Sequence, residues 1–457
     1  MTEKILIEVI PVSNKQVSPL QIQMSDKIFQ EFGLQNLQKI ELSCSRNSVI
    51  VEIVSINESE PVIQCSDFIL QELQLPPENF SITLLKRANA KLEIGPVVGL
   101  LTEVNDKHNQ ISLGSIEEFC QEISLYANEI GVFFYVFSLN SFYKHSGYIY
   151  FDGTWKRSIV PYPQVVHNRI HSRKREQSRR FIDFTNELQM NHVPYFNDHF
   201  LNKWEVHEIL KENEHLHSYI PETALLTSRD VLFEMLEKYP CVFVKPVHGS
   251  QGRNIFRIHK TDEDKYLLDY TTFSGDIETV HYSFASLFQS LFSRLKQHTF
   301  IVQECISLLL YKEKPLDFRV LCQKQSSDKW QLTSVIARVS SKDQFVSNLA
   351  RGGEMEKVHK VLIENFDVKQ IPHIKKLMKE LALEVAAIID GTDDGIFAEL
   401  GIDLALDENG KPTIIEVNTK PSKNQEQDQL SSKIRPSAKA ILQHCVYLVQ
   451  HSLINGM

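Results

Sequence analysis

The chain has 457 residues, 42% hydrophobic and 23% charged, an ordinary composition for a soluble globular protein of about two to four domains. Its net charge of −9 offers no electrostatic footprint for nucleic acid or an anionic membrane, so neither is expected as a partner. No apolar run reaches the roughly eighteen residues of a membrane span. The N-terminal "MTEKILIEVIPVS" lacks the basic and long apolar regions of a signal peptide, so a cytoplasmic location is expected. The seven cysteines are scattered and form no C-x-x-C pair, which suits a reducing compartment and argues against a disulfide framework or a zinc site.

The first segment contains a repeat. "IQMSDKIFQEFGL" (Ile22 to Leu34) recurs as "IQCSDFILQELQL" (Ile63 to Leu75), offset by 41 positions with 8 of 13 residues identical. Each copy reads as a strand, a Ser-Asp helix start and a short amphipathic helix. "KIELSCSRNSVIVEIVS" between them reads as a hairpin. Residues 1–92 are expected to form a duplicated, barrel-like domain that resembles the small double-psi barrels, with its own core and a docking role. The matched pairs Ile28/Ile69 and Leu34/Leu75 would be halves of that core, and the polar run Leu85–Gly95 reads as a linker or as a stretch containing a strand.

Residues 93–198 alternate strand and helix. "GPVVGLLTEV", a helix beginning near Ser115, "VFFYVFS" and "QVVHNRI" predict a small α/β domain with a parallel sheet. The last strand ends in Asn168 and Arg169, and such sheets bind ligands beyond the carboxyl ends of their strands. The basic run "RKREQSRR" (Arg173 to Arg180) reads as a solvated helix start in preference to a docking patch. Residues 199–457 form one large expected unit of strands, an amphipathic helix "IKKLMKELALEVAAIID" and a terminal packing helix. His207, His215 and His217 lack metal-ligand spacing and read as solvated helix residues.

Three features of this last unit carry chemistry. In "GIDLALDENGKPTIIEVNTKPS", Asn409-Gly410 signals a two-residue type I′ hairpin. That turn places Asp403 opposite Glu416, with Asn418 on the same face. The bare carboxylates would repel, and a hard cation such as Mg²⁺ relieves the conflict. A solvated exposed hairpin is the alternative, disfavoured by the apolar Ile402, Leu404, Leu406, Ile414, Ile415 and Val417. In "VFVKPVHGSQGRN", Lys245 ends an apolar strand before a loop of Gly249, Ser250 and Gly252, which suits phosphate oxygens or a plain hairpin equally. In "PLDFRVL" and "SVIARVS", Arg319 and Arg338 sit on apolar strands, Arg319 with Asp317 on its face. They require anions or structural salt-bridge partners. "FVSNLARGG" then places Asn348 in a loop fit to cover a ligand.

In order, these motifs resemble the ATP-grasp superfamily. The resemblance runs from Phe200 to about Leu442 and adds Lys203 of "NKWEV" and the hinge "QECI" (Gln303, Glu304, Ile306). The preceding "GPVVGLLT" and "YPQVVHNRI" resemble the α/β domain that precedes ATP-grasp units. The whole chain looks like the YheC/YheD family of endospore coat-associated proteins. Within the superfamily its motifs most resemble glutathione synthetase and the ribosomal-protein glutamate ligase.

The resemblance implies an α/β (α+β) multidomain fold: an ATP-grasp domain behind the α/β and barrel-like domains. It also implies ATP and Mg²⁺, or Mn²⁺, as cofactors. Glu304 and its neighbours would hold ribose and adenine, and Lys203 and Lys245 the phosphates. Asp403, Glu416 and Asn418 would hold metal, while Arg319 or Arg338 would stabilise the transferring phosphoryl group. The implied activity joins a small-molecule or peptide carboxylate to an amine. A non-catalytic spore-coat scaffold is the competing class. Arg253–Asn254 where relatives often carry another glycine, His167 before Asn168 and Lys420 after the hairpin depart from the pattern and bear on the acceptor substrate.

Overall fold

The computed structural model describes residues 3–14, 16–88, 90–107, 110–249, 254–272, 275–296, 298–340, 353–392, 396–423 and 434–455. The chain divides into two compact units. One comprises Met1–His199, Lys324–Lys329 and Ser422–Met457; the other comprises Phe200–Gln323 and Trp330–Pro421. The unit expected over 199–457 therefore gives up its terminal helix, Pro436–Asn455, to the first unit.

In the first unit, seven strands close into a barrel. The repeat is visible in its pairing: Gln21–Ser25 and Val62–Ser66 are antiparallel neighbours, with Gln23 opposite its own repeat equivalent Gln64. Each repeat strand also has a parallel neighbour, Asn47–Ile56 and Lys4–Val12 respectively. Ile28, Ile69, Leu34 and Leu75 are all buried, as the repeat predicts. Of the two readings of the run Leu85–Gly95, the strand holds: it is covered by the barrel strands Phe80–Ala88 and Lys91–Ile94. Polar residues there alternate with Leu84, Leu92 and Ile94, which point inward.

A six-stranded sheet follows, with Phe133–Phe137, Val97–Leu101, Val165–Asn168 and Tyr195–Phe196 as its parallel part. Its apolar side chains and those of the barrel form one continuous buried cluster, so the barrel does not close off a core of its own. The contact is tight at Gly131, which ends the helix Glu117–Ile130 with φ +71°. The Thr83 N–H of the barrel donates to the Gly131 carbonyl at 2.9 Å. The terminal helix is tied in by Arg435, whose guanidinium and backbone N–H both donate to Glu122 at 2.6–2.9 Å.

The second unit holds two six-stranded sheets, the second counting the short strand Leu310–Tyr311 that pairs with Lys314–Pro315 off its main order. Its first sheet runs Thr223–Leu225, Phe300–Glu304, Cys241–Pro246, Phe256–Lys260, Tyr266–Thr272, Gly275–His281, and is backed by the helices Arg229–Lys238 and Phe284–Leu295. The second runs Glu354–Glu356, Trp330–Val339, Lys314–Lys324, Glu399–Leu406, Pro412–Asn418, and is backed by the helix Ile371–Asp390. Among the described residues no helix is long and apolar enough to cross a membrane. Against the expectation from cysteine spacing, Cys241 and Cys305 form a disulfide. Their 64-residue separation carries no signal; only the pairing of their two strands brings them together.

Gly131→Ala should lower stability by about 2–4 kcal/mol, from a left-handed backbone plus overpacking. A Cβ there would lie 2.5 Å from Thr83 Oγ1, 2.6 Å from Leu6 Cδ1 and 2.9 Å from Thr83 N. Gly153→Ala, at φ +75° with nothing within 4 Å, should cost only about 1 kcal/mol. Denaturant unfolding of the two variants checks the difference.

Candidate functional site

The hairpin from Glu399 to Asn418 pairs Asp403 with Glu416 and Gly401 with Asn418, as expected, but by another route. The turn is not a two-residue type I′ loop. Leu406 pairs with Pro412, and the Asp407 N–H donates to the Lys411 carbonyl at 3.1 Å. Between them the Gly410 N–H donates to the Asp407 carbonyl at 3.0 Å, with Gly410 at φ +79°. This is a type I turn followed by a left-handed residue, a three-residue loop. The Asp407 carboxylate stabilises it by accepting from the Asn409 and Lys411 N–H groups at 2.9 and 2.8 Å. The longer loop slips the register by one, and Ile415 bulges between Leu404/Ile414 and Asp403/Glu416 to restore it. Without that bulge Glu416 would face the other side of the sheet. Pro412 starts an edge strand, where its missing N–H costs no ladder bond.

The strand Lys314–Lys324 lies on the other side of Asp403, with Arg319 directly opposite it. Arg319 grips Asp403 in a two-pronged pair, through Nε to Oδ1 and through Nη2 to Oδ2 at 3.0 Å. Arg338 reaches the same Oδ2 from Nη2 at 2.9 Å. It also donates to both oxygens of Asp317, at 2.6 and 2.8 Å. Asp317, Arg338 and Asp403 are 4%, 7% and 4% exposed, so each buried charge depends on its neighbours in the chain Asp317–Arg338–Asp403–Arg319. Burial works to raise the Asp403 pKa, but the guanidiniums of Arg319 and Arg338 overcome it and hold the carboxyl below its ordinary value. Burial likewise disfavours the Arg338 charge, and Asp317 and Asp403 reverse that. Both arginines thus have the salt-bridge partners that were the alternative to anion contact.

Lys203 approaches Glu416 from the unit's opening helix. Asn202 caps the helix Lys203–Lys211: its side chain accepts from the Trp204 and Glu205 N–H groups, while Glu205 accepts from the Asn202 N–H. That box fixes Lys203 in the first turn, where Nζ donates to Glu416 Oε1 at 2.7 Å and to the Gly249 carbonyl at 3.2 Å. A Cβ on Gly249 would lie 2.7 Å from Pro246 Cγ, so the loop tolerates only glycine in this path.

Lys245 is half-buried near the end of its strand, with Nζ donating to Gln303 Oε1 at 2.6 Å. Gln303 Nε2 in turn donates to Thr223 Oγ1 at 2.9 Å. Sequence reasoning placed Gln303 against nucleotide; here it orients the lysine, and Thr223, which no motif marks, orients Gln303. Burial first, then the charge of Lys203, push the Lys245 ammonium down to about 8, while Glu416 pulls the other way. Glu304 ends the neighbouring strand. Its Oε1 accepts from the Glu222 N–H and its own N–H donates to the Glu222 carbonyl, both at 3.0 Å. Ile306 lies two residues beyond it, half-buried. Ser250, Gly252 and Asn348 lie outside the described residues.

Asp403, Glu416 and Asn418 do share a face, and Asn418 Nδ2 donates to Asp403 Oδ2 at 3.4 Å. The carboxylates are not left to a metal, however: two guanidiniums and one ammonium already neutralise them. Among the described residues no cluster of three or more His, Cys, Asp or Glu side chains is placed to hold a metal ion.

A family model described as YheC/D like ATP-grasp matches residues 192–448. The chain is 29% identical over 384 residues to the endospore coat-associated protein YheD of Bacillus subtilis (strain 168), covering 80% of this chain and 81% of that protein. It is 23% identical over 281 residues to the endospore coat-associated protein YheC of the same organism, covering 61% and 76%. Among solved structures, the D-alanine–D-alanine ligase of Bacillus anthracis aligns at 10% identity and a TM-score of 0.43, covering 79% of this chain and 98% of that one.

Asp317→Asn leaves the Arg338 guanidinium buried with one carboxylate instead of two. The expected loss is about 3 kcal/mol of unfolding free energy, measured by denaturant titration. An unchanged midpoint would mean that Asp317 does not hold Arg338.

Proposed function

Because the chain belongs to the YheC/D-like ATP-grasp family, we propose that it is an ATP- and Mg²⁺-dependent ligase joining a carboxylate to an amine through an acylphosphate. The observation that carries this reading is a balance of charge. Three carboxylates, Asp317, Asp403 and Glu416, meet four cationic side chains, Lys203 from the opening helix and Lys245, Arg319 and Arg338 from the two sheets of one unit. Such a site repels a bare divalent cation and favours a polyanion that brings the cation with it.

In this mechanism Lys203 and Lys245 bind the phosphates, and Thr223 and Gln303 hold Lys245 in position. Glu304 and Ile306 border the nucleotide base and ribose, with Ser250, Gly252 and Asn348 as further contacts of the phosphate and covering loops. The Asp403, Glu416 and Asn418 oxygens would hold Mg²⁺ that arrives with phosphate, and the ion would supply neutralisation of the phosphate charge. The substrate carboxylate oxygen attacks the γ-phosphorus, and ADP leaves. The amine nitrogen then attacks the acyl carbon, and phosphate leaves as the amide forms. Arg319, half-buried, stabilises charge on the transferring phosphoryl oxygens. Arg338 is a positioning residue, since Asp317 and Asp403 occupy its donors.

Calorimetry tests the reading. ATP with Mg²⁺ should bind, and Mg²⁺ alone should give little heat. No ATP binding with or without Mg²⁺ would remove the proposal. Glu416→Gln keeps an acceptor for Lys203 but deletes a negative ligand, so the fold should persist while turnover falls at least about tenfold. Unchanged activity would remove Glu416 from the site.

Lys245 gives a pH dependence of known sign. Its charged form binds phosphate, and the free protein loses that proton as pH rises through about 8. ATP affinity should therefore weaken above that pH, by up to about tenfold per unit. Lys245→Arg stays charged and should flatten the profile; a slope that survives it would assign the dependence to another group.

The coat-associated names of the two relatives support a second reading, a spore-associated protein that binds ATP without turnover. Incubation with labelled ATP and cell extract, followed by mass spectrometry for a new amide, separates the two.

A further inference from the structure

Cys241 and Cys305 stand where the two strands of the lysine site end. The registered pairs Val242/Glu304 and Phe243/Gln303 lead directly to them, and the Cys305 N–H donates to the Cys241 carbonyl at 3.0 Å. Their sulfurs are bonded, with Cα atoms 5.3 Å apart. The five remaining cysteines are all free and buried. Burial pushes the thiols of Cys65 and Cys322 up to about 12 and those of Cys44, Cys120 and Cys445 higher still. Cys241 and Cys305 alone are half-exposed. A chain that keeps five thiols free is not built as a disulfide scaffold, and an isolated accessible pair is the arrangement of reversible exchange.

Two neighbours give the pair chemistry and consequence. His259 lies opposite Cys241 on the next strand, with Nε2 3.5 Å from Cys241 Sγ. Cys305 directly follows Glu304, which is held by the Glu222 backbone, and Cys241 begins the strand that carries Lys245. The disulfide therefore ties together the two segments that flank the proposed nucleotide site.

We propose that Cys241–Cys305 is a reversible thiol–disulfide site that sets nucleotide affinity at this hinge, an inference that rests on the ATP-binding reading above. A thiolate of a dithiol reductant attacks Cys305 Sγ. The S–S bond breaks, and its electron pair leaves on Cys241 Sγ, which accepts a hydrogen bond from His259 with its proton on Nε2 and is then protonated by water. The reductant's second thiolate attacks its own sulfur in the mixed disulfide and releases the Cys305 thiolate, which also takes a proton. Two electrons pass to the protein, and the reductant departs as a cyclic disulfide. Reduction frees residues 304–306 from their covalent anchor, so ATP must order them on binding.

The full-length protein is equilibrated in graded ratios of reduced to oxidised dithiothreitol, alkylated under native conditions and mapped by peptide mass spectrometry. Cys241 and Cys305 should gain label together, with one midpoint, while the other five stay unlabelled. Calorimetry with ATP and Mg²⁺ on the same samples should show affinity roughly fivefold weaker in the reduced protein. Cys305→Ser should match the reduced protein in every buffer, and His259→Asn should slow reduction without moving its midpoint. Alkylation of both cysteines in the most oxidising buffer would overturn the pair. Equal ATP affinity in both states would overturn the coupling alone. Absence of ATP binding in both would remove the ATP reading and this coupling with it.

Discussion

The buried ion chain Asp317–Arg338–Asp403–Arg319 is the constraint around which the second unit is arranged. A buried guanidinium or carboxylate without its partner is strongly unfavourable, so the strands that carry these residues have one acceptable alignment. Arg319 must oppose Asp403, and Asp403 must oppose Glu416, for the row of charges to close. The bulge at Ile415 follows from the same demand: the three-residue turn leaves the strands one residue out of phase, and a single extra residue restores the row.

Charge, more than shape, links this row to the neighbouring sheet. Lys203 is placed by a capping box at its helix start, and from there spans Glu416 and the Gly249 carbonyl. Lys245 is held by Gln303, which is held by Thr223. These are layers of support in which each polar group orients the next, the condition for a site that binds a highly charged ligand without reorganising. The same balance compensates the carboxylates within the protein, through the two arginines and Lys203.

The first unit shows a different economy. Its barrel repeats one strand–helix element about a near two-fold axis between Gln23 and Gln64, which gives the duplicated residues equivalent burial. Yet its apolar cluster runs on into the α/β sheet, and Gly131 lets the two backbones touch. The barrel is thus a structural part of this unit. The terminal helix joins the same unit through Arg435 and Glu122, from the far end of the chain.

Much of this was legible in the residues. Period-two alternation marked the strands, Ser-Asp pairs marked the repeat helices, and the spacing of Asp403, Glu416 and Asn418 about Asn409-Gly410 put them on one face. These are local properties, carried by neighbours a few residues apart. The turn departs from the type I′ expectation because the Asp407 side chain competes with the Asn-Gly signal, and the expected pairing holds only because the bulge cancels the slip. What the tertiary structure alone decided is which distant charges meet. Arg338 with Asp317 and Asp403, Lys203 with Glu416 across 213 positions, Gln303 with Thr223, and Cys241 with Cys305 follow from strand order and register. Those are set by burial summed over whole sheets, and no short stretch of sequence contains that sum.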